Sequence, residues 1–172
     1  MPGPPRIHIV GKKNAGKTTL VCDLIELFTS RGLKVGSVKH THHQHELDVP
    51  GKDSWRHRAA GATAVGILSP GMVALFLPQD REQAGQQRYQ LFDAAAFRAC
   101  DLLLVEGDLQ TDAPRVEVWR AAVGDAPWAA ADAGILAVVT DDDLQLAGRP
   151  IWSRSDLSAL ADRLLSVAGL SS

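Results

Sequence analysis

Gly11-Lys12-Lys13-Asn14-Ala15-Gly16-Lys17-Thr18 is a glycine, any four residues, then glycine, lysine and threonine, and it decides the fold. Before it stands Arg6-Ile7-His8-Ile9-Val10, a short β-branched run that predicts a buried strand. After it, Leu20, Val21, Leu24, Ile25, Leu27 and Phe28 recur at helical spacing over Thr18–Arg31. A loop in that context is built to wrap an anion. Successive backbone N–H groups surround a phosphate chain only where small residues free the turns, and the following helix adds its own unpaired N–H groups and dipole. In such a loop Gly11, Lys12, Lys13, Asn14, Ala15, Gly16, Lys17, Thr18 and Thr19 are the candidate nucleotide contacts. Lys17 supplies a charge to the outer phosphates, and the Thr18 hydroxyl suits Mg²⁺.

Further elements extend outward from the loop. Gly32 predicts the helix stop, and Leu33–Lys39 the next strand, parallel to the first. Residues Ser54–Ala60 predict a short helix. Thr63–Leu68 and Met72–Leu77, around Ser69-Pro70-Gly71, predict an antiparallel hairpin. A helix is expected near Tyr89–Arg98. Leu102–Val105 reads as a central strand, Arg115–Trp119 as a half-buried strand from its alternation, and Ile135–Thr140 as a buried one. A last helix follows, capped by Ser155 and apolar at Leu157, Leu160, Ala161, Leu164 and Leu165. The expected fold is therefore α/β: a three-layer phosphate-loop NTPase domain with a mainly parallel sheet flanked by helices and an antiparallel hairpin extension. The whole length, 1–172, suits one such domain.

Composition narrows the partners. With 45 % hydrophobic and 22 % charged residues and a formal net charge of −2, the chain lacks the basic surplus that sequence-independent nucleic-acid binding needs. No apolar run is long enough to span a bilayer, and no signal-peptide pattern opens the chain, so a cytoplasmic protein is expected. Cys22 and Cys100 make no disulfide framework and are expected to be buried small apolar residues.

Two acidic sites fall at carboxyl ends of expected strands, the edge where open parallel sheets bind ligands. Glu106 follows Leu102–Val105 and is a candidate Mg²⁺ ligand. Asp141 and Asp142, with Asp143, follow Ile135–Thr140 and are candidate guanine readers, although the companion lysine of many GTP-binding motifs is missing. Asp101 falls at the opposite edge and is expected at the surface.

The stretch Lys39-His40-Thr41-His42-His43-Gln44-His45-Glu46-Leu47-Asp48-Val49-Pro50-Gly51-Lys52-Asp53-Ser54, the later Ala60-Gly61-Ala62, the phosphate loop and Leu104-Val105-Glu106-Gly107 together resemble the molybdopterin-guanine dinucleotide biosynthesis protein B family. The resemblance implies a homodimeric GTP-binding adaptor with weak GTPase activity, working with molybdopterin or its guanylyltransferase and using GTP and Mg²⁺. It implies that Asp48 positions the attacking water or a metal-bound water, so Lys17 and Asp48 form the candidate catalytic pair and Thr18, Asp48 and Glu106 the candidate metal set. It also implies that a lysine early in the loop, Lys12 or Lys13, reaches across the dimer. Arg115–Trp119 and the hairpin are the expected free sheet edges for that assembly. One departure stands out: Asp108-Leu109 replace the aromatic residue and lysine usual after Glu106-Gly107. Two other functions remain open. His40, His42, His43 and His45 suit a metal-delivery GTPase, and Asp80–Arg88 is the only segment comparable to the lid of a small-molecule kinase.

Overall fold

In the computed structural model the described residues are 3–41, 46–78, 89 and 95–170. The chain forms two compact units, one of Met1–Thr41 with Gly85–Ser172 and one of His42–Ala84. The larger contains a six-stranded sheet in the order β2-β5-β1-β6-β7-β8, with strands β1 (Arg6–Val10), β2 (Val35–Lys39), β5 (Leu102–Glu106), β6 (Arg115–Val118), β7 (Ile135–Val139) and β8 (Ile151–Trp152). Every pairing in it is parallel. β1 and β2 are parallel as expected but do not touch, because β5 lies between them. The short β8 has too little periodicity to stand out in the sequence.

Alternation along the strands sends side chains to two covered faces. Ile7, Ile9, Leu102, Leu104, Val116, Val118, Ala137 and Val139 pack with α1 (Lys17–Ser30) and α4 (Leu157–Val167). On the other face Leu103 and Val105 meet Tyr89 and Phe97, the latter on α3 (Ala95–Arg98), while Val10, Ile135 and Val138 meet Trp119 and Ala129. Burial on both faces explains why Leu102–Val105 is apolar throughout rather than alternating. His8 shares the second face, fully buried and edge-on to the Tyr89 ring. Desolvation, against the Gly107 carbonyl contact and the Asp108 charge, pushes its pKa down to about 4 and keeps it neutral at pH 7.

Four local expectations change. β6 is an interior strand between β1 and β7, not a half-buried edge. Its polar residues find partners further along the chain: Arg115 forks onto Asp132 at 2.6 and 3.1 Å. Glu117, fully buried, accepts from the N–H groups of Trp128 and Ala129 at 2.9 and 2.8 Å. Those donors open a 3₁₀ turn over Trp128–Ala130, so the carboxylate caps it. Burial raises the Glu117 pKa while the two backbone donors oppose the rise. The cap of α4 is Asp156, which accepts from Ala159 N–H at 3.0 Å, rather than Ser155. Cys22 is exposed on α1. Asp101 is more than surface decoration, since it accepts from Lys34 N–H at 2.7 Å and ties the entry of β2 to that of β5.

The smaller unit contains α2 (Asp53–Ala59) and an antiparallel hairpin of β3 (Val65–Ser69) and β4 (Met72–Phe76). Ser69 Oγ donates to Met72 O at 2.8 Å across the hairpin turn. Leu68, Met72, Val73 and Leu75 on the hairpin are well exposed.

Candidate functional site

The loop between β1 and α1 has the geometry its sequence requires. Gly11, Asn14 and Gly16 take positive φ of 140°, 65° and 98°, turning the chain where only glycine or asparagine does so cheaply. α1 begins at Gly16 with no side-chain cap and no acidic residue in its first turn, so its N–H groups stay open to an anion and nothing repels one. Lys17 Nζ donates to Lys12 O at 2.7 Å. Burial lowers the Lys17 pKa, Glu106 opposes that, and Lys39 adds to it.

Thr18 Oγ1 lies 2.9 and 3.0 Å from the two oxygens of Glu106, joining the start of α1 to the end of β5. Glu106 is 9 % exposed and also faces Lys39 Nζ at 3.4 Å. A hydroxyl and a buried carboxylate are hard oxygen donors, and Mg²⁺ takes few such protein ligands beside water and phosphate, so the pair fits the ion. Sequence spacing alone put Thr18 and Glu106 on separate elements; the β1–β5 register brings them together.

A cleft of about 290 Å³ opens beside the loop. Ala15, Gly16 and Thr19 form one side, and Trp119, Arg120, Thr140, Asp141, Asp142 and Arg154 the rest. Asp141 is no idle turn residue: its Oδ1 accepts from Ser153 Oγ, Arg154 N–H, Ser155 N–H and Ser155 Oγ at 2.7, 2.8, 3.0 and 3.2 Å. The Ser153 hydrogen bond is the largest cause of its lowered pKa. Asp142 Oδ2 accepts from Ala121 N–H at 2.6 Å. Arg154, paired with Asp23, enters the cleft from the end of β8 and has no local signature in the sequence. Trp119 also walls the cleft while its Nε1 donates to Asp125 O at 2.8 Å.

Lys12 is engaged within its own chain, 2.9 Å from Asp125 and donating to Ala126 O at 3.1 Å, whereas Lys13 is exposed. Asp108, in the position of the family's usual aromatic residue, is buried at φ 64° and bonds to the Tyr89 hydroxyl and Gln110 N–H. In the smaller unit Asp48 is 8 % exposed; its Oδ1 accepts from Val49 N–H at 2.8 Å and Ser54 Oγ at 2.9 Å, while its buried Oδ2 has no partner among the described residues. One oxygen thus makes the turn and the other is left over. His42, His43 and His45 and all of Asp80–Arg88 lie outside the described residues.

A parallel sheet with a phosphate loop at its carboxyl edge, a hydroxyl–carboxylate pair and an adjoining cleft defines a phosphate-loop NTPase-type nucleotide-binding fold. The family model of molybdopterin guanine dinucleotide synthesis protein B matches residues 6–141. The chain belongs to that family. It is 32 % identical over 161 residues to the molybdopterin-guanine dinucleotide biosynthesis adapter protein of Escherichia coli, covering 92 % of this chain and 90 % of the relative. The adapter protein of the same name from Haemophilus influenzae is 32 % identical over 142 residues, covering 83 % and 78 %. The crystal structure of Bacillus subtilis MobB superposes with a TM-score of 0.71 at 26 % identity, over 95 % of this chain and 97 % of that one. A MobB homolog from Bacillus stearothermophilus gives 0.68 at 25 % identity over the same shares.

Proposed function

We propose that this chain is a GTP-binding adapter in molybdopterin guanine dinucleotide biosynthesis, holding GTP and Mg²⁺ for the guanylyltransferase that joins guanine nucleotide to molybdopterin. The observation that carries it is the Thr18–Glu106 pair beside an open helix N-terminus, in a chain of this family. Loop N–H groups and Lys17 hold the phosphates. Thr18 and Glu106 hold Mg²⁺, which supplies positive charge against the outer phosphates. Slow hydrolysis follows as in-line attack of water on the γ-phosphate, with Lys17 balancing the developing charge. A cytoplasmic location belongs to the same proposal.

The base lies in the cleft, read by Asp141 with Asp142 beside it. Since four donors occupy Asp141 Oδ1, the second oxygen is the one for guanine N1–H and its exocyclic amine. Asp141→Asn keeps the Oδ1 acceptor and replaces the reading oxygen with a donor. Calorimetric titration should show GTP favoured over ATP in the wild type, and the preference narrowed by ~1–3 kcal/mol in the variant. Equal wild-type affinities for the two nucleotides would remove the base assignment.

We place the working form as a homodimer, supported by the outer edges of the hairpin, which pair with no other described strand, and by the exposed Leu68, Met72, Val73 and Leu75. Asp48 positions the attacking water, supported by its buried oxygen without a partner among the described residues. Asp48→Asn should lower GTPase turnover roughly a hundredfold or more, the scale of a lost general base, with GTP affinity retained. Full turnover in that variant would reduce Asp48 to a turn former, and a monomeric mass with and without GTP·Mg²⁺ would exclude the dimer.

A further inference from the structure

Lys39 ends β2 in register with Glu106 at the end of β5, and its Nζ shares Glu106 Oε1 with the Thr18 hydroxyl. The backbone beneath it is held. His40 N–H donates to Glu106 O at 2.9 Å, and Gly107 passes so close that a Cβ there would stand 3.1 Å from His40 O. The side chain is not held in the same way, being 67 % exposed. Two lysine charges, Lys17 and Lys39, therefore act around a single buried carboxylate. That surplus of positive charge suits an anion with more charge than a diphosphate brings.

A divalent cation held by Thr18 and Glu106 would sit against the same carboxylate that Lys39 faces. Like charges would then drive the ammonium from Glu106, and a phosphate beyond Lys17 is the anion within reach of a side chain anchored there. We infer that Lys39 is a second phosphate lysine, which leaves Glu106 for the terminal phosphate of a nucleoside triphosphate and so distinguishes triphosphate from diphosphate. This role presupposes the nucleotide site proposed above.

Fluorescent GTP and GDP titrated with Mg²⁺ into wild type, Lys39→Gln and Lys39→Arg give the test, with melting temperature recorded beside them. Loss of a charge-assisted contact made only to the terminal phosphate should weaken GTP about tenfold in Lys39→Gln and leave GDP within about twofold. Lys39→Arg should keep most of the preference, and all three proteins should melt together. An unchanged GTP-to-GDP ratio in Lys39→Gln, or an equal loss for both nucleotides, overturns the role of Lys39 alone. Failure of wild type to bind either nucleotide overturns the nucleotide site and Lys39's role together.

Discussion

Lys17→Ala should lose GTP binding by at least two orders of magnitude while melting within about 2 °C of wild type. The two expectations have separate causes. Each charge-assisted bond from an ammonium to a phosphate contributes about 1.5–3 kcal/mol, and a lysine reaching two phosphates forfeits both contacts at once. Among the described residues the Lys17 side chain makes one hydrogen bond, to Lys12 O. Its pKa is lowered chiefly by burial, so the fold carries that charge at a cost rather than a gain. Removing it should shift stability by no more than about 0.5 kcal/mol, which is one or two degrees for a chain of this size. Calorimetric titration with GTP·Mg²⁺ and a thermal melt on the same preparation check both. Retained affinity would dismiss the phosphate loop as the site, whereas a collapsed melt would make Lys17 structural.

Gly11→Ala should behave in the opposite way, failing in stability and binding together. Gly11 stands at φ 140°, and a Cβ built there would lie 2.3 Å from Val118 O. That oxygen belongs to β6, which pairs with β1 on one side and β7 on the other, so no side-chain rotation relieves the clash. Backbone strain and overpacking each cost about 1–3 kcal/mol, so a loss of about 3 kcal/mol or more is expected, roughly 6–12 °C in melting temperature. Gly16→Ala is the internal comparison. It shares a positive φ of 98°, yet nothing lies within 4 Å of its added carbon. Its loss should be nearer 1 kcal/mol, the scale of an L-residue forced into left-handed backbone. Equal melting of the Gly11 and Gly16 variants would show that the contact with β6 does not confine the loop.

The exposed hairpin and the interior strand β6 show how differently legible the elements were. Ser69-Pro70-Gly71 between two apolar runs marks a turn whose partners are neighbours in the chain, and the hairpin forms there. Arg115–Trp119 alternates as a half-buried strand does, yet it is central. Its alternate position holds Glu117, whose carboxylate is consumed by the N–H groups of a 3₁₀ turn 11 and 12 residues on, a partner that periodicity does not reveal. Asp141 was visible as a carboxylate at a strand end, but its four donors on the 153–155 loop were not.

By itself the sequence determined the phosphate loop, the strand and helix on either side of it, and the family. Those features are local, set by glycine positions, β-branching and helical spacing within stretches short enough to read directly. The tertiary structure alone decided that β5 enters between β1 and β2, and with it that Glu106 meets Thr18 and Lys39. It likewise decided that Arg154 and Trp119 reach the cleft beside Asp141. Parallel strands pair across long crossovers, so their order follows from how whole helices and faces pack, and no local run of residues encodes it.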